Sequence, residues 1–93
     1  MKQRSGTFTI VNELGLHARA AGTLVNVANR FASRVEVEKD GRRVDGKSIL
    51  GIVSLLGLRG SQISVQIEGD DADEAFSALQ ELVALGFDEG ARK

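Results

Sequence analysis

The 93-residue chain contains no cysteine, no proline, no tryptophan and no tyrosine, and its only aromatic residues are four phenylalanines. Without cysteine it can form neither a disulfide nor a thiolate metal site, and its single histidine cannot assemble the usual zinc ligand set. An excess of charge of one sign is missing too: 12 lysines and arginines stand against 13 acids, a net charge of -1. That balance speaks against a protein whose main task is to hold a nucleic-acid backbone, and Arg42–Arg43 is only a pair. The lack of tryptophan and tyrosine also argues against a stacking platform for bases. There is no long apolar run and no charged-then-apolar leader, so the expectation is a soluble cytoplasmic protein without a membrane span. A chain of this length is expected to form one domain over residues 1–93, burying roughly 60–65% of its unfolded surface in a two-layer core of Val, Ile, Leu and Ala.

What is present is periodic. "TFTIV" at Thr7 to Val11 alternates Phe8 and Ile10 on one face and predicts a strand. "NELGLH" breaks it. From Ala18, the spacing of Ala21, Leu24, Val25 and Ala28, continued to Phe31, predicts a helix of about three turns whose N-terminus sits at His17. In "SRVEVEK", Val35 and Val37 alternate with charged residues. Asp40-Gly41 supplies the positive φ values of a two-residue hairpin before "RRVD" returns with Val44 inward. Ser48 opens a short helix with Ile49, Ile52, Val53 and Leu56 on one stripe, ended by Gly57 or Gly60. "QISVQIE" points Ile63, Val65 and Ile67 inward. The segment Asp70 to Leu85, stopped by Gly86, predicts a helix with Ala72, Ala75, Phe76, Leu79, Leu82 and Val83 on its buried side. The order βαββαβα implies an α/β (α+β) open-faced two-layer sandwich, in which a four-stranded antiparallel sheet is covered on one face by three helices and wet on the other.

Two motifs mislead. "GRRVDGKS", Gly41 to Ser48, fits the phosphate-cradling pattern G-x-x-x-x-G-K-S, but that loop must leave a buried parallel strand, whereas here "RRVD" is the return strand of a hairpin. The acids Asp70, Asp71, Asp73 and Glu74 lack the spacing and glycine of a calcium loop and are read as helix capping. His17 is different. Histidine is not a favoured N-cap, and its imidazolium is disfavoured by about 0.3–1 kcal/mol at the positive end of a helix, so the neutral ring is favoured there. A neutral ring has a nucleophilic nitrogen, and the same helix amides would attract a phosphoryl group placed on it. Arg19, two residues on, can pair with phosphoryl oxygens in a forked geometry. Gly15, Ala18, Ala20, Ala21 and Gly22 are expected to keep the approach open to a partner protein.

These residues carry a resemblance. "GLHARAA", Gly15 to Ala21, resembles the active-site motif of the histidine-containing phosphocarrier proteins, HPr, of the bacterial phosphoenolpyruvate-dependent phosphotransferase system. "GKSILGIVSLLGLRG", Gly46 to Gly60, resembles that family's second helix with its regulatory serine, and the likeness extends over nearly the whole chain. The resemblance implies an HPr-like fold and a phosphoryl carrier that is not itself an enzyme and needs no cofactor or metal. It implies that His17 accepts the phosphoryl group through Nδ1 from Enzyme I, with help from Arg19, and passes it to an Enzyme IIA-type domain. By the same resemblance Ser48, in its Lys47-Ser48-Ile49 setting, is a target for an ATP-dependent HPr kinase/phosphorylase, although serine is also simply a good N-cap.

Leu50 lies off the inward stripe and, with Lys47, Ile49 and Val53 and with Ala18, Ala20 and Ala21 near the histidine, is the candidate docking surface; it could equally be a single exposed apolar residue of the ordinary kind. Two positions depart from the family pattern. Ala20 stands where proline is usual, which should loosen the first helical turn without removing a reactive group. Leu14 replaces a small polar residue, and "NELGLHAR" with the ending "GFDE", Gly86 to Glu89, looks more like the nitrogen-related branch, NPr. A carrier that docks with two partners is best served as a monomer. The rival readings are a non-transferring regulatory module switched at Ser48, and a plain interaction domain, which leaves His17 and Arg19 without an explanation.

Overall fold

A computed structural model describes residues 2–88; Met1 and residues 89–93, with Glu89 of the quoted ending and both limits of the expected 1–93 domain, lie outside the described residues. Along the chain run β1 (Gln3–Thr9), α1 (Ala18–Ala28), β2 (Arg34–Lys39), β3 (Arg42–Asp45), α2 (Ile49–Ser54), β4 (Gln62–Glu68) and α3 (Ala72–Ala84), followed by a 3₁₀ turn at Gly86–Asp88. The strands form one antiparallel sheet in the order β1-β4-β2-β3. Phe8, Val35, Val37, Ile63, Val65 and Ile67 are buried beneath the helices. The opposite face carries Ser5, Gln66, Glu36 and Arg43, with Arg43 between Glu36 and Glu38, and is wet as the alternation implies.

The hairpin forms as expected, because Asp40 (φ 53°) and Gly41 (φ 85°) both take the left-handed conformation that a two-residue turn of this hand requires. This makes "RRVD" an antiparallel strand paired with β2, a geometry in which "GRRVDGKS" cannot cradle a phosphate as a P-loop does. The α3 stripe is buried at all six anticipated positions, and Gly86 follows its end with φ 65°.

Four element readings need correction. β1 occupies Gln3–Thr9 and not 7–11. Its first half lacks apolar alternation because Phe76 of α3 covers it: a Cβ on Gly6 would stand 2.7 Å from that ring, and the Arg4 guanidinium lies 4.2 Å from its centroid. Phe8 meets the same ring edge-on at 5.3 Å, so the strand is held by aromatic and cation–π contacts worth about 0.5–1.5 kcal/mol each. α1 ends at Ala28, and Phe31 packs against the core from the following turn. In α2 the buried residues are Ile52 and, just after the helix, Leu55; Ile49, in the first turn, is exposed, and so is Leu56, because the chain leaves the helical path there (φ 54°), before either glycine. Finally, α3 begins at Ala72, and the acids before it do more than cap.

Asp71 makes no side-chain capping bond. Its carboxylate instead accepts from the Ala32 and Ser33 amides, both at 2.9 Å, and from the Ser33 hydroxyl, tying the entry of α3 to the entry of β2. The Ser33 hydroxyl bond first, and the Ala32 amide second, hold the Asp71 carboxyl below the usual aspartate range. A depressed folded-state pKa stabilises the fold above the unfolded value, and that contribution is lost as pH falls through the folded one. Asp71→Asn is therefore expected to be less stable than the parent at neutral pH and to show a shallower loss of stability as pH falls below about 4. Urea midpoints measured across that range check this, and parallel curves for the two proteins would contradict it.

Candidate functional site

The segment leading to His17 is fixed by the loop that follows α2. The Ile10 amide donates to Ser61 O at 2.9 Å, the Gly60 amide returns to Ile10 O at 2.7 Å, and the Leu16 amide donates to Gly57 O at 2.8 Å. Between these bonds the chain turns on Asn12, whose side-chain amide donates to Gly15 O at 2.8 Å. The last contact needs two glycines. Gly15 has φ 68°, and a Cβ there would stand 2.2 Å from Gly57 O; a Cβ on Gly57 would stand 2.7 Å from Leu16 Cδ1. The two loops touch backbone to backbone, and His17 is the next residue.

His17 is the N-cap of α1, with φ -72° and ψ 176°. Its backbone carbonyl accepts from the Ala21 amide at 2.8 Å, and its ring Nδ1 accepts from the Arg19 amide at 3.3 Å. An imidazole nitrogen that accepts an N–H carries its lone pair and no proton, so the neutral ring holds its hydrogen on Nε2. The ring is half-buried, and Nδ1 faces the partial positive charge of the helix start. A phosphoryl group on Nδ1 would offer its oxygens to the same amides. Arg19 is exposed, and its guanidinium makes no ion pair among the described residues. Ala18 is exposed beside it, whereas Ala20 and Ala21 have no exposed surface: they face the core and drop out of the docking set.

Ser48 caps α2, its Oγ accepting from the Gly51 amide at 3.0 Å. Lys47 is half-buried, and its Nζ donates to Phe31 O at 2.8 Å, just beyond the end of α1. Gly57, beyond the end of α2, meets Leu16 at the start of α1, and the two helices pack in contact. His17 caps the start of α1, whereas Lys47, next to Ser48, reaches the turn just beyond the far end of that helix, so the two N-caps lie toward opposite ends of α1. Ile49 and Leu50 are exposed at the Ser48 end, and Val53 is half-buried. The exposed apolar residues next to His17 are others, Leu14, Leu56 and Leu58. Sequence periodicity placed Leu56 on the buried stripe; its signal was a helix end with no glycine at the turning residue.

No group of three His, Asp or Glu among the described residues could hold a metal ion. An open recess of about 540 Å³ lies on the wet sheet face, lined by Arg34, Glu36, Gln66 and Glu68, away from His17; its charges are partly self-paired and it has no part in this chemistry. None of the described helices is long and apolar enough to cross a membrane.

The family profile described as "PTS HPr component phosphorylation site" matches residues 4–84. The phosphocarrier protein HPr of Cupriavidus necator is 45% identical over 82 residues, covering 88% of this chain and 92% of that protein. The phosphocarrier protein HPr of Pseudomonas aeruginosa is 46% identical over 83 residues, with the same shares covered. Among solved structures, HPr-C-His from Thermoanaerobacter tengcongensis superposes with a TM-score of 0.89 at 43% identity, covering 92% of this chain and 97% of that one.

Two alanine substitutions separate the constraint on the loop from that on the helix. Gly15→Ala places a Cβ against Gly57 O in a left-handed residue and should cost about 2–3 kcal/mol. Gly22→Ala, inside α1 with nothing within 4 Å of the added carbon, should instead stabilise by about 0.5–1 kcal/mol. Denaturant midpoints that shift in the same direction for both variants would contradict this account of the site.

Proposed function

The chain belongs to the HPr family of phosphocarrier proteins of the phosphotransferase system, and from that premise we propose that His17 is its phosphoryl acceptor, loaded by Enzyme I and unloaded by an Enzyme IIA-type domain. A phosphocarrier is a substrate of transfer enzymes and not a catalyst in its own right. The observation that carries the residue assignment is the bond from the Arg19 amide to Nδ1. It leaves a lone pair on the nitrogen that would be attacking, so no proton has to leave Nδ1 first. In the step, the Nδ1 lone pair forms the bond to phosphorus while the bond to the donor breaks and its electrons remain on the donor. The α1 amides and the Arg19 guanidinium then neutralise the phosphoryl oxygens. Passing the group onward reverses the same bonds.

Ser48 is proposed as a regulatory phosphorylation site for an HPr kinase/phosphorylase. Its hydroxyl sits at the entry of α2, where a phosphate is electrostatically tolerated, so modification would add charge beside Ile49 and Leu50 without unfolding the helix. Ala18, Lys47, Ile49, Leu50 and Val53 remain the proposed contacts. A cytoplasmic monomer is the form that suits this traffic, whose output is sugar uptake or a nitrogen-related regulatory branch.

The test is to mix the protein with phosphoenolpyruvate, magnesium and a bacterial Enzyme I, and to follow phosphorus NMR and intact mass. An acid-labile phosphohistidine should form, be absent in His17→Ala, and form on the order of 10²-fold more slowly in Arg19→Ala. With ATP and an HPr kinase, one phosphate should be gained and be absent in Ser48→Ala. Phosphoryl gain that survives in His17→Ala would overturn the acceptor assignment. No gain in the parent protein would leave the Ser48-switched regulatory module as the better reading.

A further inference from the structure

The sheet has two edges, and they are built differently. Just outside the two ends of β1, the Lys2 carbonyl accepts from the Gly69 amide and the Ile10 amide donates to Ser61 O, both at 2.9 Å. Between them one unbroken antiparallel register runs from Gln3 opposite Glu68 to Thr9 opposite Gln62. In such a ladder, residues bonded to a given neighbour alternate with residues that are not. Lys2 and Ile10 therefore mark Arg4, Gly6 and Phe8 as the residues that bond β4, and the N–H and C=O groups of Gln3, Ser5, Thr7 and Thr9 point away from the sheet. Among the described residues no backbone bond reaches those outward groups.

The opposite edge is closed. The Gly46 amide donates to Val35 O on the β2 side, so β3 directs only Arg43 and Asp45 outward; both are charged, and the Asp45 carbonyl is taken by the Ser48 amide at 3.0 Å. Short length and charge are common protections of a sheet edge. The exposed part of β1 has neither. It is seven residues long without a bulge, and from Ser5 to Thr9 it carries no charge and no proline. The side chains of Ser5, Thr7 and Thr9 stand on the wet face, where Gln66, Ser64 and Gln62 of β4 lie opposite them and continue an uncharged surface.

We infer that the β1 edge is a binding site for an extended segment of another protein, which adds alongside β1 as a further strand and brings uncharged, hydroxyl- or amide-bearing side chains to the wet face. Donors and acceptors that recur at every second residue of a straight strand are matched by an extended backbone and by no compact ligand. The uncharged surface, two strands deep, sets the character of the segment, since a charged side chain laid on it would give up hydration without meeting a counter-charge. A second copy of this chain fits poorly. α3 packs over β1, with its Phe76 ring resting on Gly6. Joining β1 to the β1 of another copy would put two such helices over strands about 4.8 Å apart, whereas packed helices need about 8–10 Å. The occupant is therefore a strand that carries no helix on that face.

Amide hydrogen exchange followed by NMR reads this edge residue by residue. In the free protein the amides of Ser5, Thr7 and Thr9 should exchange much faster than those of Arg4, Gly6 and Phe8. The probe is a synthetic peptide of about ten residues, alternating threonine and valine with a lysine at each end, titrated to about 1 mM. At about ten times its dissociation constant it should slow the three outward amides about tenfold and leave the amides of α1 and α2 unchanged. Thr7→Pro removes one outward N–H and no bond to β4, so it should keep the fold and weaken peptide binding at least about tenfold. Ser5→Pro removes another outward N–H nearer the strand end and supplies the same reading if Thr7→Pro does not fold. Outward amides already slow in the free protein would overturn the open edge. No slowing up to about 1 mM peptide, or equal slowing in the proline variants, would overturn the binding site. Slowing that rises with protein concentration in the absence of peptide, together with a dimer in sedimentation, would make a second copy the occupant and overturn the partner segment.

Discussion

The Leu16 amide and the Gly57 carbonyl meet at 2.8 Å, and the placement of His17 at the start of α1 follows from that contact. It is possible only because Gly15 accepts a left-handed conformation and Gly57 has no side chain to collide with Leu16. The contact joins the start of α1 to the loop after α2 and places His17 at the N-cap of α1. With no proline to stiffen that turn and no disulfide anywhere, the geometry is held by backbone hydrogen bonds and by the packing of Leu16 and Leu55 into the core.

Placing a histidine at an N-cap makes one set of amides serve two states. In the unmodified protein the Arg19 amide donates to Nδ1. With a phosphoryl group on that nitrogen, the same helix start would face anionic oxygens, for which its partial positive charge is suited. The reciprocal arrangement at Ser48, another side chain capping another helix, sits at the far end of the helix pair. Charge added at Ser48 would therefore act on a partner lying along both helices more than on the imidazole itself, since salt screens exposed charges that are well separated.

Much of this was legible in the sequence, for local reasons. Asp40-Gly41 admits few conformations other than the turn it makes, and the α3 stripe follows a period that only a helix satisfies. Serine before the α2 stripe marked one N-cap, and the start of the α1 apolar spacing placed His17 at the other. The failures came where tertiary contact replaced local pattern. The first half of β1 has no apolar alternation because the Phe76 ring, contributed from 70 residues away, supplies its cover. Asp71 looked like a cap because it stands where caps stand, but its partners, Ala32 and Ser33, lie on a segment distant in sequence. In α2 periodicity assigned Leu56 inward, since a six-residue helix is too short to reveal where the stripe ends. Nothing local marks Gly57 as the partner of Leu16, and the separation of His17 from Ser48 follows from that pairing.

The central claim is that the backbone holds the lone pair of His17 on Nδ1. Long-range ¹H–¹⁵N correlation of the imidazole ring, recorded at about pH 8 where a histidine is ordinarily neutral, reads the tautomer directly. Hydrogen is expected on Nε2, with an unprotonated, hydrogen-bonded Nδ1 whose shift moves when the Gly15–Gly57 contact is broken by Gly15→Ala. Hydrogen found on Nδ1 would contradict it, because that ring could neither accept the Arg19 amide nor present the nitrogen on which the proposed transfer depends.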